Sequence, residues 1–482
     1  MASWRTAPEA LAWALPPPSS PQVLEARRRT LASIPDRTAL ALRLAEHHRR
    51  LGAPEASLAA CSHLGQAGAL AVVAGQQPAP GLGPLYALHK AAAAVSLAKR
   101  WGAVPVFWIA GDDHDLAEAS RVRFLGATGG MEEDEAPAGP PLTPLNLLSC
   151  DGALVPWLGS WRDRLPASPH RDPLFERLSA ACTGTWSDWM ARSLLLLFGE
   201  DGLVVLDPSW VRDLSSGLLA RYREAEPAIR HALAAHSARL KTEGYRLQAP
   251  APEETHLFTV RDGRRERSLS GDSPDVLLRP VVQDALLPVL AMVTGPGETA
   301  YLAQTGPLYE ALGVSRPPLA LRPSVTLVAA KDLKHLEDWG LTPDSLLLGE
   351  QGILQALKAL RPPSARAARL REAGGRWAHE IPLLAGEGMK DLEGALGASI
   401  RAVRESLESL ARRVERMEEE KSGIDRRRAQ ALGRWALPSG KPQERTLNAW
   451  SVLCRFGEGL AGSLVDGVDW ADSSPRLVVV EG

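Results

Sequence analysis

The stretch from Ala69 to Ala110 constrains the fold more than any other part of the chain. A short apolar run, Ala69 to Ala74, leads directly into Gly75-Gln76-Gln77-Pro78-Ala79-Pro80-Gly81-Leu82-Gly83-Pro84. Leu85 to Arg100 is Ala-rich and ends on cations, as expected of a helix that follows a proline start. Val104 to Ala110 is β-rich and stops at Gly111. Strand, glycine turn, helix and strand make a βαβ unit, and a βαβ unit requires a parallel sheet. A second unit repeats the logic. Leu286 to Val293 predicts a strand running into Thr294-Gly295-Pro296-Gly297-Glu298, followed by a helix through Leu312 and an extended segment, Pro318 to Val328, that contains Arg322. Leu203 to Leu206, closed by Asp207-Pro208, adds a further strand to the same sheet.

The remaining segments read as insertions and an arm. Gly129 to Pro144, with Glu132-Glu133-Asp134-Glu135, predicts a solvated surface loop, and Val211 to Gly271 a helical, Arg-rich insertion. Leu40 to Leu51 predicts a helix with His47 and His48 on its polar face. Farther on, Leu396, Ile400, Val403, Leu407, Leu410, Val414, Met417 and Ile424 alternate in steps of four and three, with Lys421 as the one polar residue of the seam. That spacing predicts a coiled coil, as a dimer contact or an intramolecular hairpin. A helix from Gly386 to Arg434 would extend roughly 70 Å and would have to project or pair. The expected order is a Rossmann-like core (1–125), a first insertion (126–200), a core strand (201–210), a second insertion (211–275), the rest of the core (276–375), a coiled-coil arm (376–436) and a C-terminal segment returning to the core (437–482).

Composition removes several function classes. The 482 residues are 45% hydrophobic and 23% charged, and 55 Lys plus Arg against 57 Asp plus Glu leave a net charge of −2. No field of that kind favours nucleic acid or an anionic membrane as partner. Met1 to Pro18 does not read as a secretory signal, and no apolar stretch is long enough to cross a bilayer. Cys61, Cys150, Cys182 and Cys454 form no CxxC pair, which suits reduced thiols in a cytoplasm better than a disulfide framework or a zinc site.

Three loops that carry glycine and polar residues would emerge at one edge of the sheet, and their convergence marks the candidate site. After the first strand, Gly75, Gly81 and Gly83 would let backbone N–H groups approach a phosphate, with His89 and Lys90 adding donors where backbone alone cannot neutralise a polyphosphate. After the second, Asp112, Asp113, His114 and Asp115 repel one another unless something cationic sits among them, which suits a substrate amine. One of them, His114 before Asp113, would serve as general base. After the later strand come Gly295, Gly297, Glu298, Tyr301 and Gln304, with Arg279 and Gln283 before it and Arg322 beyond.

These segments resemble the BshC family, the cysteine ligases of bacillithiol synthesis. The resemblance runs through Val73 to Gln77, Gly83 to Tyr86, His89-Lys90, Val104 to Asp115, Val276 to Asp284, Gly295 to Tyr301 and Lys441 to Arg445. The chain departs from the family at Asp112, where Glu is usual, and at Pro78-Ala79-Pro80 and Leu82. Gln76, Gln77, Tyr86 and Trp108, in the matched segments, join Asp112, Asp115, Glu298, Tyr301 and Gln304 as substrate-binding candidates. His89, Lys90, Asp113 and His114 are the catalytic candidates, and Gly75, Gly81, Gly83, Gly295, Gly297 and Arg322 the nucleotide-binding ones. The resemblance implies an α/β protein with a Rossmann-like core like that of class I aminoacyl-tRNA synthetases, connecting-peptide insertions and a coiled-coil arm used for homodimerisation. It implies joining the carboxyl group of cysteine to the amine of glucosaminyl-malate. A carboxylate is a poor acyl donor, so ATP or another nucleotide with Mg2+ is expected to activate it. The related ligase of mycothiol synthesis holds cysteine on zinc, and no equivalent ligand set is evident here. Two alternatives remain: an adenylate-forming nucleotidyltransferase acting on another amino acid, and a nucleotide-binding coiled-coil scaffold without catalysis.

Overall fold

The computed structural model describes residues 20–32, 37–150, 152–249, 254–360, 364–385, 393–421 and 426–481, which leaves Met1 to Pro18 outside. They divide into two compact units, Met1–Leu327 with Lys441–Gly482, and Val328–Gly440.

The first unit is built on one parallel sheet. Its helix α1 (Thr38–Leu51) precedes strand β1 (Ala71–Gln76), helix α2 (Tyr86–Trp101) and strand β2 (Val104–Ile109). β1 and β2 pair in parallel from Ala71↔Val104 to Gln76↔Ile109, the predicted βαβ unit. Both strands bury nearly every residue, which is why they read as continuous apolar runs rather than alternating ones. Within this sheet Gly75 is required by contact: a Cβ there would stand 2.8 Å from the Trp108 carbonyl oxygen.

After β2 come a short helix, α3 (Leu116–Ala119), and an antiparallel hairpin, β3 (Arg121–Leu125) and β4 (Met131–Glu135). The acidic run expected to be a solvated loop is therefore a strand. Its charges are balanced from outside it: Arg164 bonds Glu132 at 2.8 Å and Asp134 at 2.5 Å, and Arg123 bonds Glu133 at 2.5 Å. Strand β5 (Val204–Leu206) returns to the sheet beside β2. The second insertion is helical only in α4 (Ser216–Thr242). It then forms a small antiparallel sheet of β6 (Leu257–Arg261), β7 (Arg264–Arg267) and β8 (Ser273–Pro274). Helix α5 (Arg279–Leu286), strand β9 (Val289–Thr294), helix α6 (Pro296–Leu302) and strand β10 (Leu319–Leu321) complete the core.

The sheet order is β10-β9-β1-β2-β5. The chain builds outward from β1 through β2 to β5 and then restarts on the other side of β1 with β9. That reversal opens a crevice at the carboxyl ends of β1 and β9. His48 corrects an expectation: it lies on the buried face of α1, where its Nδ1 bonds the Leu44 carbonyl and its Nε2 accepts the Val205 N–H of β5. All four cysteines are buried and unbridged. Among the described residues no helix is long and apolar enough to cross a membrane.

The second unit is helical. It includes α7 (Gly349–Ala359), α8 (Ala365–Ala385), α9 (Glu393–Lys421) and α10 (Arg426–Ala436), and it begins at Val328, well before residue 376. α9 pairs with α8 of its own chain. Ala367 and Ala411 are both fully buried, and Leu407 reaches to within 3.4 Å of the Cβ position of Gly374. The small residues let the two helices approach closely, so the buried stripe steps from Leu407 to Ala411 and not to Leu410. Arg371 of α8 closes the edge by bonding both Glu408 and Glu415. The heptad seam is thus split, with Leu410 at 45% and Met417 at 56% exposure. The Lys421 side chain and Ile424 lie outside the described residues. Parts of the expected 70 Å helix, residues 386–392 and 422–425, lie outside the described residues; within that span α9 has 29 residues, and α10 packs against α7 so tightly that a Cβ on Gly433 would lie 2.5 Å from the Glu350 backbone.

Candidate active site

The crevice is a cavity of about 570 Å³, lined by residues from the ends of β1, β2 and β9, from the β6–β8 sheet and from the C-terminal segment. Gly75, Gln76, Gln77, Tyr86, Lys90, Asp112, Asp113, His114, Asp115, Gly295, Gly297, Glu298, Tyr301 and Arg322 all reach it, so most of the expected residues do converge.

Lys90 enters from the second turn of α2 and is pinned from three sides. Its Nζ donates to the Gly75 carbonyl at 2.8 Å and to Gln76 Oε1 at 3.4 Å, and pairs with Glu298 Oε2 at 2.8 Å. Burial lowers the pKa of its ammonium, and the Glu298 carboxylate opposes that shift. The chain of contacts continues through Tyr301, whose hydroxyl donates to Glu298 Oε1 at 3.3 Å and accepts from Arg279 Nη2 at 2.8 Å. A cation from α2, a carboxylate and phenol from α6 and a guanidinium from α5 are therefore fixed as one network.

The acidic cluster is resolved by cations that the local sequence does not contain. Arg212 grips Asp112 with both terminal nitrogens, at 2.6 and 3.2 Å, and Asn146 donates to the same carboxylate at 2.9 Å. Asp113 accepts from the backbone N–H groups of His114 and Asp115 and from the Gln77 amide. Asp115 caps α3 by accepting the Glu118 N–H at 3.0 Å. His114 is bonded through Nδ1 to Arg265 Nη1 at 3.2 Å. A guanidinium only donates, so Nδ1 is the acceptor and the proton sits on Nε2. Burial and then Arg265 lower the His114 pKa, so the ring is neutral with its lone pair already engaged. It is a donor toward the cavity, not a free base. Glu118, which also lines the cavity, has its pKa raised by burial and by Asp115 and Asp113. It holds a proton more readily than an ordinary glutamate, as a proton-transfer group requires.

Four expectations do not survive the geometry. His89 does not reach the cavity. It is fully buried on the other flank of α2, and its Nδ1 bonds Glu444 Oε2 at 3.2 Å. Successive helical positions diverge by about 100°, so His89 and Lys90 cannot share one target. Gly81 and Gly83 do not cradle a ligand either. With Leu82 they form three consecutive left-handed residues that fold the loop into the core, where a Cβ on Gly81 would meet Asn448, Trp161 and Trp450 at 2.8 Å. Trp108 is fully buried within the sheet. Gln304 is fully buried as well, its amide accepting from Gln248 and Ala249 N–H and donating to the Ala249 carbonyl.

Arg279, noted before the later strand, lines the cavity, and so do residues the motifs do not single out: Glu118, Phe258, Arg265, Arg267, Asp275 and Arg445. The period-2 pattern Arg264-Arg265-Glu266-Arg267 places Arg265 and Arg267 on one face of β7, a signal available in the sequence. Glu444 was also legible, inside Lys441-Pro442-Gln443-Glu444-Arg445. Burial would raise its carboxyl pKa, but Arg322 at 2.7 Å and His89 outweigh burial and hold it far below the ordinary range. Gln443 beside it bonds both the N–H and the carbonyl of Leu327, at 2.8 and 3.2 Å. These two side chains seat the C-terminal segment against the chain from Arg322 to Leu327 and deliver Arg445 to the cavity.

The N-terminal Rossmann-like domain of bacillithiol biosynthesis BshC matches residues 19–272 and 270–323, and its C-terminal coiled-coil domain matches residues 325–474. The chain belongs to the BshC family. A relative from Heliobacterium modesticaldum is 31% identical, with 95% of this chain and 93% of the relative covered. One from Salinibacter ruber is 29% identical over 92% and 89%, and one from Geobacillus thermodenitrificans 30% identical over 90% and 89%. Each of the three is named "Putative cysteine ligase BshC". The Rossmann-like match covers every lining residue of the cavity except Arg445, which falls in the C-terminal match, and the ligase class of these relatives extends to this chain.

Proposed function

We propose that this ligase joins the carboxyl group of cysteine to the amine of glucosaminyl-malate in the cytoplasm, with nucleotide-dependent activation of the carboxylate. The observation that carries the reading is the meeting of cations and carboxylates in one cavity. Lys90, Arg279, Arg322 and Arg445 line it together with Asp113, Asp115 and Glu118. The cations suit a polyphosphate and the carboxylates an ammonium group, the two partners an amide-forming step must bring together.

The donor set fits a nucleotide. Lys90, Arg279 and Arg322 would hold the phosphates, and a bound nucleotide with its Mg2+ supplies the energy to make the carboxylate an acyl donor. The chain's own residues then do three things. Asp113, held rigid by Gln77 and two backbone N–H groups, orients the amine. Glu118 takes the proton that the ammonium must lose before attack. His114, a donor at Nε2, binds an acceptor atom of the substrate. The new C–N bond forms as the activating group leaves with its electron pair.

The test is to incubate the purified protein with cysteine, glucosaminyl-malate, ATP and Mg2+ and to look for the amide by mass spectrometry. Cysteinyl-glucosaminyl-malate is the expected product. Nucleotide consumption with a different amino acid and no such amide would instead support a nucleotidyltransferase, and nucleotide binding without turnover of any amino acid would support a scaffold.

A further inference from the structure

Two of the four cysteines face each other: the Cys150 thiol donates a hydrogen bond to the Cys182 sulfur. The backbone around them is a short antiparallel bridge. The Cys150 N–H donates to the Gly184 carbonyl at 2.8 Å, the Trp186 N–H donates to the Leu148 carbonyl at 3.0 Å, and Ser149 is registered against Thr185. Cys182 ends the helix Arg171–Ala181, and its N–H donates to the Ser179 carbonyl at 3.1 Å. Both residues are thus fixed by backbone hydrogen bonds. A disulfide needs side chains that converge, and thiols in contact already do.

The other two cysteines are built differently. Burial pushes Cys61 and Cys454 up to about 12, which leaves them as inert thiols. At Cys182 the hydrogen bond from Cys150 outweighs burial and lowers the pKa, whereas Cys150, the donor, holds its proton all the more firmly. The two therefore differ as a nucleophile differs from a resolving thiol. Both are buried, but Ser149, Gly152, Thr183 and Gly184 around them are exposed, so the pair lies just beneath the surface, within reach of a small oxidant.

Both strands of the bridge lead into the acidic loop of the cavity. Upstream of Cys150, the Leu145 N–H donates to the Asp113 carbonyl at 2.7 Å and the Asn146 N–H to the Gly111 carbonyl at 2.8 Å, while Asn146 Nδ2 donates to the Asp112 carboxylate at 2.9 Å. Beyond Gly184, Ser187 Oγ donates to Asp207 at 2.7 Å, and Asn146 reaches the same carboxyl group at 3.3 Å. Moving either strand moves the groups that hold Asp112 and Asp113.

We propose that Cys150 and Cys182 are a reversible oxidation site, closed to a disulfide by a hydroperoxide, and that closure disturbs the support of Asp112 and Asp113 and lowers turnover. The Cys182 thiolate attacks one peroxide oxygen, the O–O bond breaks, and its electron pair leaves as hydroxide, which takes up the thiol proton. Cys150 then attacks the resulting sulfenic sulfur, and its proton leaves with the sulfenic oxygen as water. Two thiols have lost two hydrogen atoms, and hydrogen peroxide has become two waters. A covalent S–S bond is shorter than any contact between two thiols, so closure draws the bridge together. The cross-link does not depend on the substrates assigned above; only its effect on turnover rests on that reading.

The test exposes the full-length protein to hydrogen peroxide and analyses its peptides by mass spectrometry without reductant. A linked Cys150–Cys182 peptide that dithiothreitol removes is expected. Hydrogen exchange at Leu145 and Asn146 should rise in the oxidised form and return on reduction. Turnover of cysteine and glucosaminyl-malate should fall by about 10- to 100-fold, the scale of an ångström misplacement at an active site. Cys182→Ser should keep the turnover of the reduced protein and lose the peroxide response, and Cys150→Ser should halt at an unlinked sulfenic acid on Cys182. Cys61→Ser and Cys454→Ser should respond like wild type. Absence of the linked peptide, or peroxide inactivation that persists in Cys182→Ser, would overturn the site. A link that leaves exchange and turnover unchanged would overturn its connection to the cavity. If no acceptor yields amide, a link that alters exchange still supports the site, and only the assigned substrates fall.

Discussion

Arg322 and Glu444, 122 residues apart in the chain, meet at 2.7 Å with both side chains almost wholly buried. Glu444 also accepts from Ser324 Oγ at 3.1 Å and from the Val325 N–H at 3.3 Å, and His89 completes its surroundings. One carboxylate thereby joins the end of β10, the helix after the glycine turn and the C-terminal segment. Truncating it would strand a buried guanidinium, so Glu444→Ala should cost about 3–5 kcal/mol in urea unfolding. Replacing both partners by apolar residues, Arg322→Met with Glu444→Leu, should cost less than the single change. An equal or larger loss in the double variant would show that the pair is not what makes the single change costly.

Lys90 and His89 should behave differently although they are adjacent. Lys90→Met removes a cation that lines the cavity and should lower turnover by about 100- to 1,000-fold, and because it leaves the buried Glu298 carboxylate unpaired it should lower the melting temperature as well. His89→Ala empties a fully buried position and loosens Glu444, so its main effect should be on stability. A His89 variant that melts like wild type yet fails to turn over would contradict this division.

Proton transfer should follow Glu118 rather than His114. The Glu118 carboxyl has a raised pKa, so it is protonated and inactive as a base at the acid end. Activity should rise with pH as it ionises. In Glu118→Gln that acid limb should vanish together with most of kcat, whereas His114→Gln should lose activity without losing the limb. The kcat–pH profiles of the two variants decide the matter.

Asp207 gives the fold its own pH dependence. It is fully buried, accepts from Ser187, Ser209 and Asn146, and is pushed up to about 6 by burial and by Asp112. A carboxyl group whose folded pKa is raised stabilises the fold while protonated, and that contribution is lost as pH climbs from about 4 to about 6. The loss is on the order of 3 kcal/mol at most. Asp207→Asn should flatten stability across that window, measured by denaturant titration at several pH values. An unchanged slope would assign the dependence elsewhere.

The arm offers a clean separation of packing from association. We propose that the exposed edge of α9 mediates a homodimer through Leu410 and Met417. Replacing both with Glu should yield a monomer in sedimentation with an unchanged helical signal. Leu407→Glu faces α8 and should instead reduce helicity. A wild type that is monomeric at micromolar concentration would end the dimer proposal.

Local sequence determined the sheet. The apolar runs of β1, β2 and β9 are too short and too β-rich to be anything but buried parallel strands, and the glycine-bearing turns after them fix where ligands can approach. It also determined that Lys90, Asp113, Glu298 and Arg322 would meet at one edge, because strand ends in such a sheet share one face. Tertiary structure decided which neighbours stayed out. The left-handed backbone of Gly81, Leu82 and Gly83 turned an apparent phosphate loop into a core plug. The helical phase of α2 sent His89 away from its neighbour, and Arg212 and Arg265, 100 and 151 residues beyond their partners Asp112 and His114, neutralised a cluster that looked empty of cations. The arm followed the same rule: heptad spacing specified a helix with an apolar stripe, but the small side chains of Ala367, Gly374 and Ala411 set how closely α8 and α9 approach, and so which residues of the stripe were covered. Periodicity is a property of one element, whereas the pairing of charges and the depth of a contact depend on side chains brought in from elsewhere in the chain.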